Sequence, residues 1–150
     1  MWSDPQVYRY ILAAPSNEQQ AWSRILTYAG HWALAGFGYW AVEERSTGDF
    51  VGEIGFADFK RDITPSIRGV PEMGWVLSSA QHGRGYATEG VRAALTWADQ
   101  HLPATRTVCL IHPENAVSIH LTEKVGYGQT HLATYNNAPV LLFERPRVAR

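Results

Sequence analysis

Cysteine is almost absent: Cys109 stands alone among 150 residues, so no disulfide can form within the chain. A reducing compartment, the cytoplasm, is the expected location. Long apolar runs are missing too, since nothing approaches the ~18 residues that span a bilayer. The opening MWSDPQVYRYILAAPSNEQQ lacks the basic region, apolar stretch and cleavage site of a signal peptide. Nor is there an excess of charge of one sign. Thirteen basic and fourteen acidic side chains leave a net charge of −1, with no general attraction to nucleic acid or to an anionic membrane. Six histidines include no pair at a zinc-site spacing such as His-Glu-x-x-His, so no metal site is expected. Internal repeats, low-complexity tracts and linkers are lacking, and one folded domain over residues 1–150 is the expectation.

What is present is a chain with 45% hydrophobic residues and a readable order of periods. From Ser16 or Asn17, Trp22, Ile25, Leu26, Ala29 and Ala33 recur at helical spacing, with Ser16 as a cap and Gly36 as a stop. FGYWAVEERS and FVGEIGFADF, separated by TGD, predict a β-hairpin. A polar loop, KRDITPSIRGVP, leads to the short strand EMGWVLSS. Val91, Ala94, Leu95, Ala98 and Leu102 then mark one face of a helix that ends before Pro103. TRTVCLIH reads as a buried strand, PENAVSIHLTEKVGY as a helix closed by Gly126, and QTHLATY with APVLLFERP as a terminal antiparallel pair. The fold class is α+β, with helices on a mostly antiparallel sheet. Within it, Glu72 to His112 forms a strand–helix–strand unit that can be parallel. Trp22, Trp40 and Trp97 are expected in the core, Trp32 is ambiguous, and Cys109 reads as an apolar filler.

One stretch resists a purely structural reading. HGRGYATEGVRAALTWA places Gly83 and Gly85 where a helix must start, although glycine is a poor helix former. A glycine turn can serve geometry alone. It can also bare main-chain N–H groups at the positive end of a helix, where an anion binds, with Arg84 adding a fixed charge. The spacing fits neither a Walker loop nor a dinucleotide fingerprint.

The stretch resembles the acetyl-coenzyme A binding motif of the GNAT superfamily of N-acetyltransferases, Gln/Arg-x-x-Gly-x-Gly/Ala. Gly85 and Ala87 match its fourth and sixth positions, and His82 stands where glutamine or arginine is usual. GWVLSSAQHGRGYATEGVRAAL together with HPENAVSIHLTEKVGY resembles the branch that acetylates ribosomal-protein N-terminal amines, with Gly-Trp ending one strand and Asn-x-x-Ser opening a late helix. The similarity runs from Phe37 to Arg145. The family's usual first strand and first helix have no counterpart before WSDPQV, so an N-terminally short GNAT fold is implied, with a splayed strand pair for the cofactor.

The resemblance implies direct attack of a primary amine on acetyl-CoA, without a metal. The diphosphate would sit on main-chain groups of Gly83, Arg84, Gly85, Tyr86, Ala87 and Thr88, with His82 beside them. The pantetheine arm would lie along Gly74, Trp75, Val76 and Leu77, a backbone N–H near Val76 would meet the thioester carbonyl, and Asn115 would contact the arm. Asn115 also reads simply as a helix cap. An acidic residue must take the amine proton: Glu72 is preferred and Glu53 is the other candidate. Ser118 would protonate the departing thiolate, with Tyr127 as substitute. The implied acceptor is a protein N-terminus. A small-molecule amine, which Asp58 and Asp62 could attract, is the alternative, as is a non-catalytic acyl-CoA-binding module. A homodimer is left open.

Overall fold

The computed structural model describes residues 1–148; Ala149 and Arg150, the end of the expected domain, lie outside the described residues. The element order is α1 (Pro5–Tyr8), α2 (Glu18–Ala35), β1 (Tyr39–Glu43), β2 (Phe50–Ala57), β3 (Glu72–Leu77), α3 (Tyr86–His101), β4 (Arg106–Ile111), α4 (Ala116–Lys124), β5 (Gly128–Tyr135) and β6 (Ala138–Pro146). Six strands form one sheet in the order β1-β2-β3-β4-β6-β5. Every neighbouring pair is antiparallel except β3 and β4, the two strands of the expected parallel unit.

Strand alternation divides the hydrophobic residues between two faces. On one, Ile54, Phe56, Met73, Cys109 and Phe143 pack under Val91, Ala94, Leu95 and Ala98 of α3, so the helical period read from the sequence matches the buried face. Gly90 belongs to this contact, since a Cβ there would lie 2.4 Å from Ile54 Cδ1. On the other, Val108 and Leu142 pack with Ile63 and Ile67 from the 58–71 loop. Arg145 holds β6 to α3 through a two-point pair with Asp99, at 2.9 and 2.7 Å. Among the described residues no helix is long and apolar enough to cross a membrane.

Helix α2 departs from expectation twice. Its cap is Asn17, whose side chain accepts from the Gln20 N–H while Gln20 reaches back to the Asn17 N–H, and not Ser16. Its aliphatic stripe also faces outward: Trp22 is 59% exposed, with Ile25 and Leu26 similar. Trp22 is therefore not a core residue. The helix instead turns Arg24, Tyr28 and Trp32, spaced at i, i+4, towards the rest of the protein. Trp32 donates to the Tyr39 carbonyl at 2.9 Å on the outer edge of β1. It also packs edge-on against Trp40 and Trp97, which are half-buried and pack against the core rather than within it.

Strands β3 and β4 pair at one position only, Glu72 with Val108. At that position Arg61 forks onto both Glu72 oxygens, at 2.7 and 2.8 Å, and Glu72 is 7% exposed. Removing one member of a largely buried pair leaves an uncompensated charge. Arg61→Met should accordingly lose about 3 kcal/mol of unfolding free energy, whereas Trp22→Gln should change it by less than about 0.5 kcal/mol, both read by urea denaturation. A second prediction concerns acid. Hydrogen bonds from Arg145 hold the Asp99 carboxyl below its ordinary range. Its contribution is complete above the unfolded value of about 3.9 and is lost as pH falls through the lower folded one. The stability gap between the parent protein and Asp99→Asn should therefore stay constant above about pH 5 and shrink as pH falls below about 4.

Candidate active site

Beyond Glu72 the two parallel strands part. The edge of β3 from Met73 to Leu77 that faces β4 has no ladder partner, while its other edge is fully paired with β2. Each parting strand runs into a helix N-terminus. β3 continues through a 3-10 turn, Ser79–Gln81, into α3, and β4 continues through HPEN into α4. A crevice at the carboxyl ends of parallel strands, with the uncapped N–H groups of the α3 terminus at one end, is a binding geometry for an elongated anion.

The glycines at the start of α3 serve backbone geometry. Gly83 and Gly85 have φ of +72° and +85°, and a Cβ at either would meet nothing within 4 Å. Gly85 is the N-cap and no side chain caps the helix. The first helical N–H to find a helical acceptor is that of Glu89, bonded to Gly85 O. The N–H groups of Tyr86, Ala87 and Thr88 thus precede the ladder, next to open space. Arg84 is held nearby by Gln81 at 2.6 Å and lies over the Tyr86 ring, 4.9 Å from its centroid. His82 turns its Nε2 to the Leu77 carbonyl at 3.0 Å, so it ties the turn back to the end of β3.

Across the crevice, Asn115 caps α4 by accepting from the Ser118 N–H at 3.2 Å. Asn115 and Ser118 therefore share that helix's first turn, and both are half-buried. Tyr127 lies elsewhere. Its hydroxyl is buried in a 2.7 Å bond with Thr107, towards the start of β4 and away from the parting ends. Burial pushes its pKa far up.

Gly74 and Glu53 lie on the sheet face opposite α3. Gly74 has a steric reason to be small, since a Cβ there would be 1.9 Å from the Tyr39 hydroxyl. Tyr39 stacks on Tyr28 with centroids 4.4 Å apart. Burial, reinforced by the Glu72 and Glu53 charges, raises the Tyr39 pKa, so its phenol stays neutral. Glu53 is the cross-strand partner of Val76. Its Oε2 accepts from the Trp2 indole N–H and the Tyr28 hydroxyl, each at 3.1 Å. The two candidate bases therefore differ in kind: neutral donors occupy one Glu53 oxygen, while a guanidinium occupies both oxygens of Glu72. Trp75 and Leu77 face the α3 side, where Trp75 is half-buried against the core. Asp58 is engaged by Lys60 and by the Gly69 N–H, on the loop.

Sequence reasoning missed Trp2, Arg24, Tyr28, Tyr39 and Arg61. The spacing of Arg24, Tyr28 and Trp32 was the available signal, but it competed with a cleaner aliphatic stripe on the same helix.

Residues 1–128 match the acetyltransferase (GNAT) domain family. A structure described as a GnaT-family acetyltransferase of Bordetella pertussis is 31% identical, with a TM-score of 0.82 over 92% of this chain and 84% of that one. The Bacillus subtilis protein YkkB is 29% identical over 73% of this chain, and the match spans 62% of YkkB's length. A spermidine N-acetyltransferase from Vibrio cholerae, in complex with CoA and spermine, shares the fold at 15% identity, with a TM-score of 0.72 over 97% of this chain and 85% of that one. The chain belongs to the acetyltransferase (GNAT) domain family.

Proposed function

We propose that the protein is an acetyl-CoA-dependent N-acetyltransferase acting on a primary amine. The observation that carries this reading is the single rung between β3 and β4, beyond which the two strands part towards two helix N-termini. The donor's diphosphate rests on main-chain N–H groups from Gly83 to Thr88, and Arg84 swings from Gln81 to join it. The pantetheine amides add to the free edge of β3 along Gly74–Leu77, as a further strand would. Asn115 meets the arm from the far side while keeping its capping bond.

The amine enters on the Glu53 side. Only its neutral form attacks, whereas a lysine amine has a pKa near about 10.4 and an α-amine near about 8. Glu53 takes the proton, directly or through a water. We assign this role to Glu53 over Glu72, because a carboxylate with both oxygens in a guanidinium fork is a poor proton acceptor. The amine nitrogen bonds to the thioester carbon, and the oxyanion that forms is met by a main-chain N–H near Val76. The carbon–sulfur bond then breaks, and the new amide nitrogen sheds its extra proton to water. The thiolate leaves under a hydrogen bond from the Ser118 hydroxyl, which relays a proton from water to the sulfur and so is left unchanged. Tyr127 is not given this role, since its hydroxyl is locked to Thr107 in the core.

Glu53 beside neutral aromatic rings suits a protonated amine of several kinds, including a protein N-terminal α-amine. A polyamine is the alternative acceptor, suggested by the spermine in the Vibrio cholerae structure. The lone buried thiol and the choice of acetyl-CoA as donor both fit the cytoplasm.

Acetyl-CoA at about 100 times its Kd should stabilise the protein by about 2.7 kcal/mol, seen as a raised Tm. Gly85→Glu should abolish that rise, whereas Gly85→Asn, which tolerates the left-handed backbone, should keep it. With an amine panel, free thiol should appear only when acceptor is present. Glu53→Gln should lower kcat by about 100-fold or more without lowering Tm. Binding without thiol release for any amine would point instead to a non-catalytic acyl-CoA module. No rise in Tm would sink both readings.

A further inference from the structure

Arg24 is the unexplained charge beside this site. Its guanidinium stacks on the Trp2 ring, 3.8 Å from the centroid. Nη2 reaches Ser16 Oγ at a long 3.5 Å. Nη1 is buried with no partner, and it is the one side-chain polar atom in that state among the described residues. Buried donors are nearly always satisfied, so an orphan on a guanidinium calls for an explanation. The edge of the same Trp2 indole donates to Glu53 Oε2. An acid and a base thus flank one aromatic ring without pairing, although Arg24 is near enough for its charge to act on the Tyr28 phenol. Glu53 Oε1 accepts from no protein group described here, and Arg24 Nη1 donates to none.

We infer that the acceptor is a zwitterion, an amine with a carboxylate on the neighbouring carbon, whose ammonium faces Glu53 and whose carboxylate meets Arg24. The inference rests on the acetyltransferase reading above and deepens it to a substrate class, free α-amino acids. A guanidinium is built for an anionic oxygen. Nη1 is covered in the free protein, so a small shift of the Trp2 ring or of the long Ser16 contact uncovers it, and a carboxylate then supplies the missing acceptor through a charge-assisted bond. A polyamine brings only further positive charge towards Arg24. A peptide N-terminus brings a neutral carbonyl, which gains less from the same contact. Trp2 and Tyr28 fix the two charged groups: the indole orients Glu53 at its edge and carries Arg24 on its face.

The probes are the common L-amino acids, their carboxamides, a tripeptide with a free N-terminus, and spermidine. Binding to the protein saturated with CoA is followed by calorimetry, and acetyl transfer by thiol release. The best amino acid should bind at least about tenfold more tightly than its carboxamide, the tripeptide or spermidine, as expected for one charge-assisted hydrogen bond. Arg24→Gln should bring the acid-to-amide ratio close to one, acting on KM more than on kcat, and Arg24→Lys should restore part of it. The ratio in the parent protein is decisive even if a variant folds poorly. Equal affinity for acid and amide, preference for the tripeptide or spermidine, or no binding by any amino acid would overturn the inference. Selective binding of the acid without acetyl transfer would instead overturn the enzymatic reading and leave the zwitterion site standing.

Discussion

Two hydrogen bonds from Arg61 to Glu72 mark the place where β3 and β4 are joined, and everything that distinguishes this sheet follows from where that junction lies. Parallel neighbours normally continue side by side, because each rung satisfies buried backbone groups. Here the carboxylate at the foot of β3 is anchored by a cation from the 58–71 loop. The strands above it separate, and that edge of β3 is left unpaired. The ion pair is costly to break from one side only, so the parting point is fixed. Glu72 thus supports the site by position, while the carboxylate with a free oxygen, Glu53, stands one strand over and opposite Val76.

The two faces of the sheet divide the work. On the α3 side, dense packing of Val91, Leu95, Phe56 and Phe143 holds the helix whose first turn carries the uncapped N–H groups. On the other side, aromatic rings surround Glu53, while Glu72 lies nearer the aliphatic cluster of Ile67 and Val108. Tyr39 overlies Gly74 and stacks on Tyr28, which bonds Glu53, so one glycine on β3 and one carboxylate on β2 are coupled through two phenols. Burial keeps these phenols neutral. They can orient a carboxylate by hydrogen bonding without giving up their protons to it.

Much of this was legible in the sequence, and the reasons differ by element. The order of helices and strands along the chain and the buried stripe of α3 came from periodicity, because both faces of that part of the sheet are covered by apolar groups. The glycine turn was legible because only a left-handed backbone or a close approach calls for Gly83 and Gly85, and the structure has the former. Helix α2 was misread. Its aliphatic stripe at Trp22, Ile25 and Leu26 has the stronger period, but the surface it meets offers a β1 carbonyl and the Glu53 carboxylate. Polar-tipped side chains satisfy those groups, so Tyr28 and Trp32 turn inward. The different settings of Glu72 and Glu53 could not be read either, since the Glu72 ion pair depends on Arg61, eleven residues away across a loop with no regular period.

The most direct measurement is amide hydrogen exchange with and without CoA, resolved to single peptides. The account predicts that the β3 amides facing away from β2, those of Met73, Trp75 and Leu77, exchange readily in the free protein together with those of 83–88, and that both become protected when CoA binds, while the β5–β6 hairpin is unchanged. Protection that appears in the hairpin or the 58–71 loop, with the parted edge of β3 and the α3 turn unaffected, would contradict it.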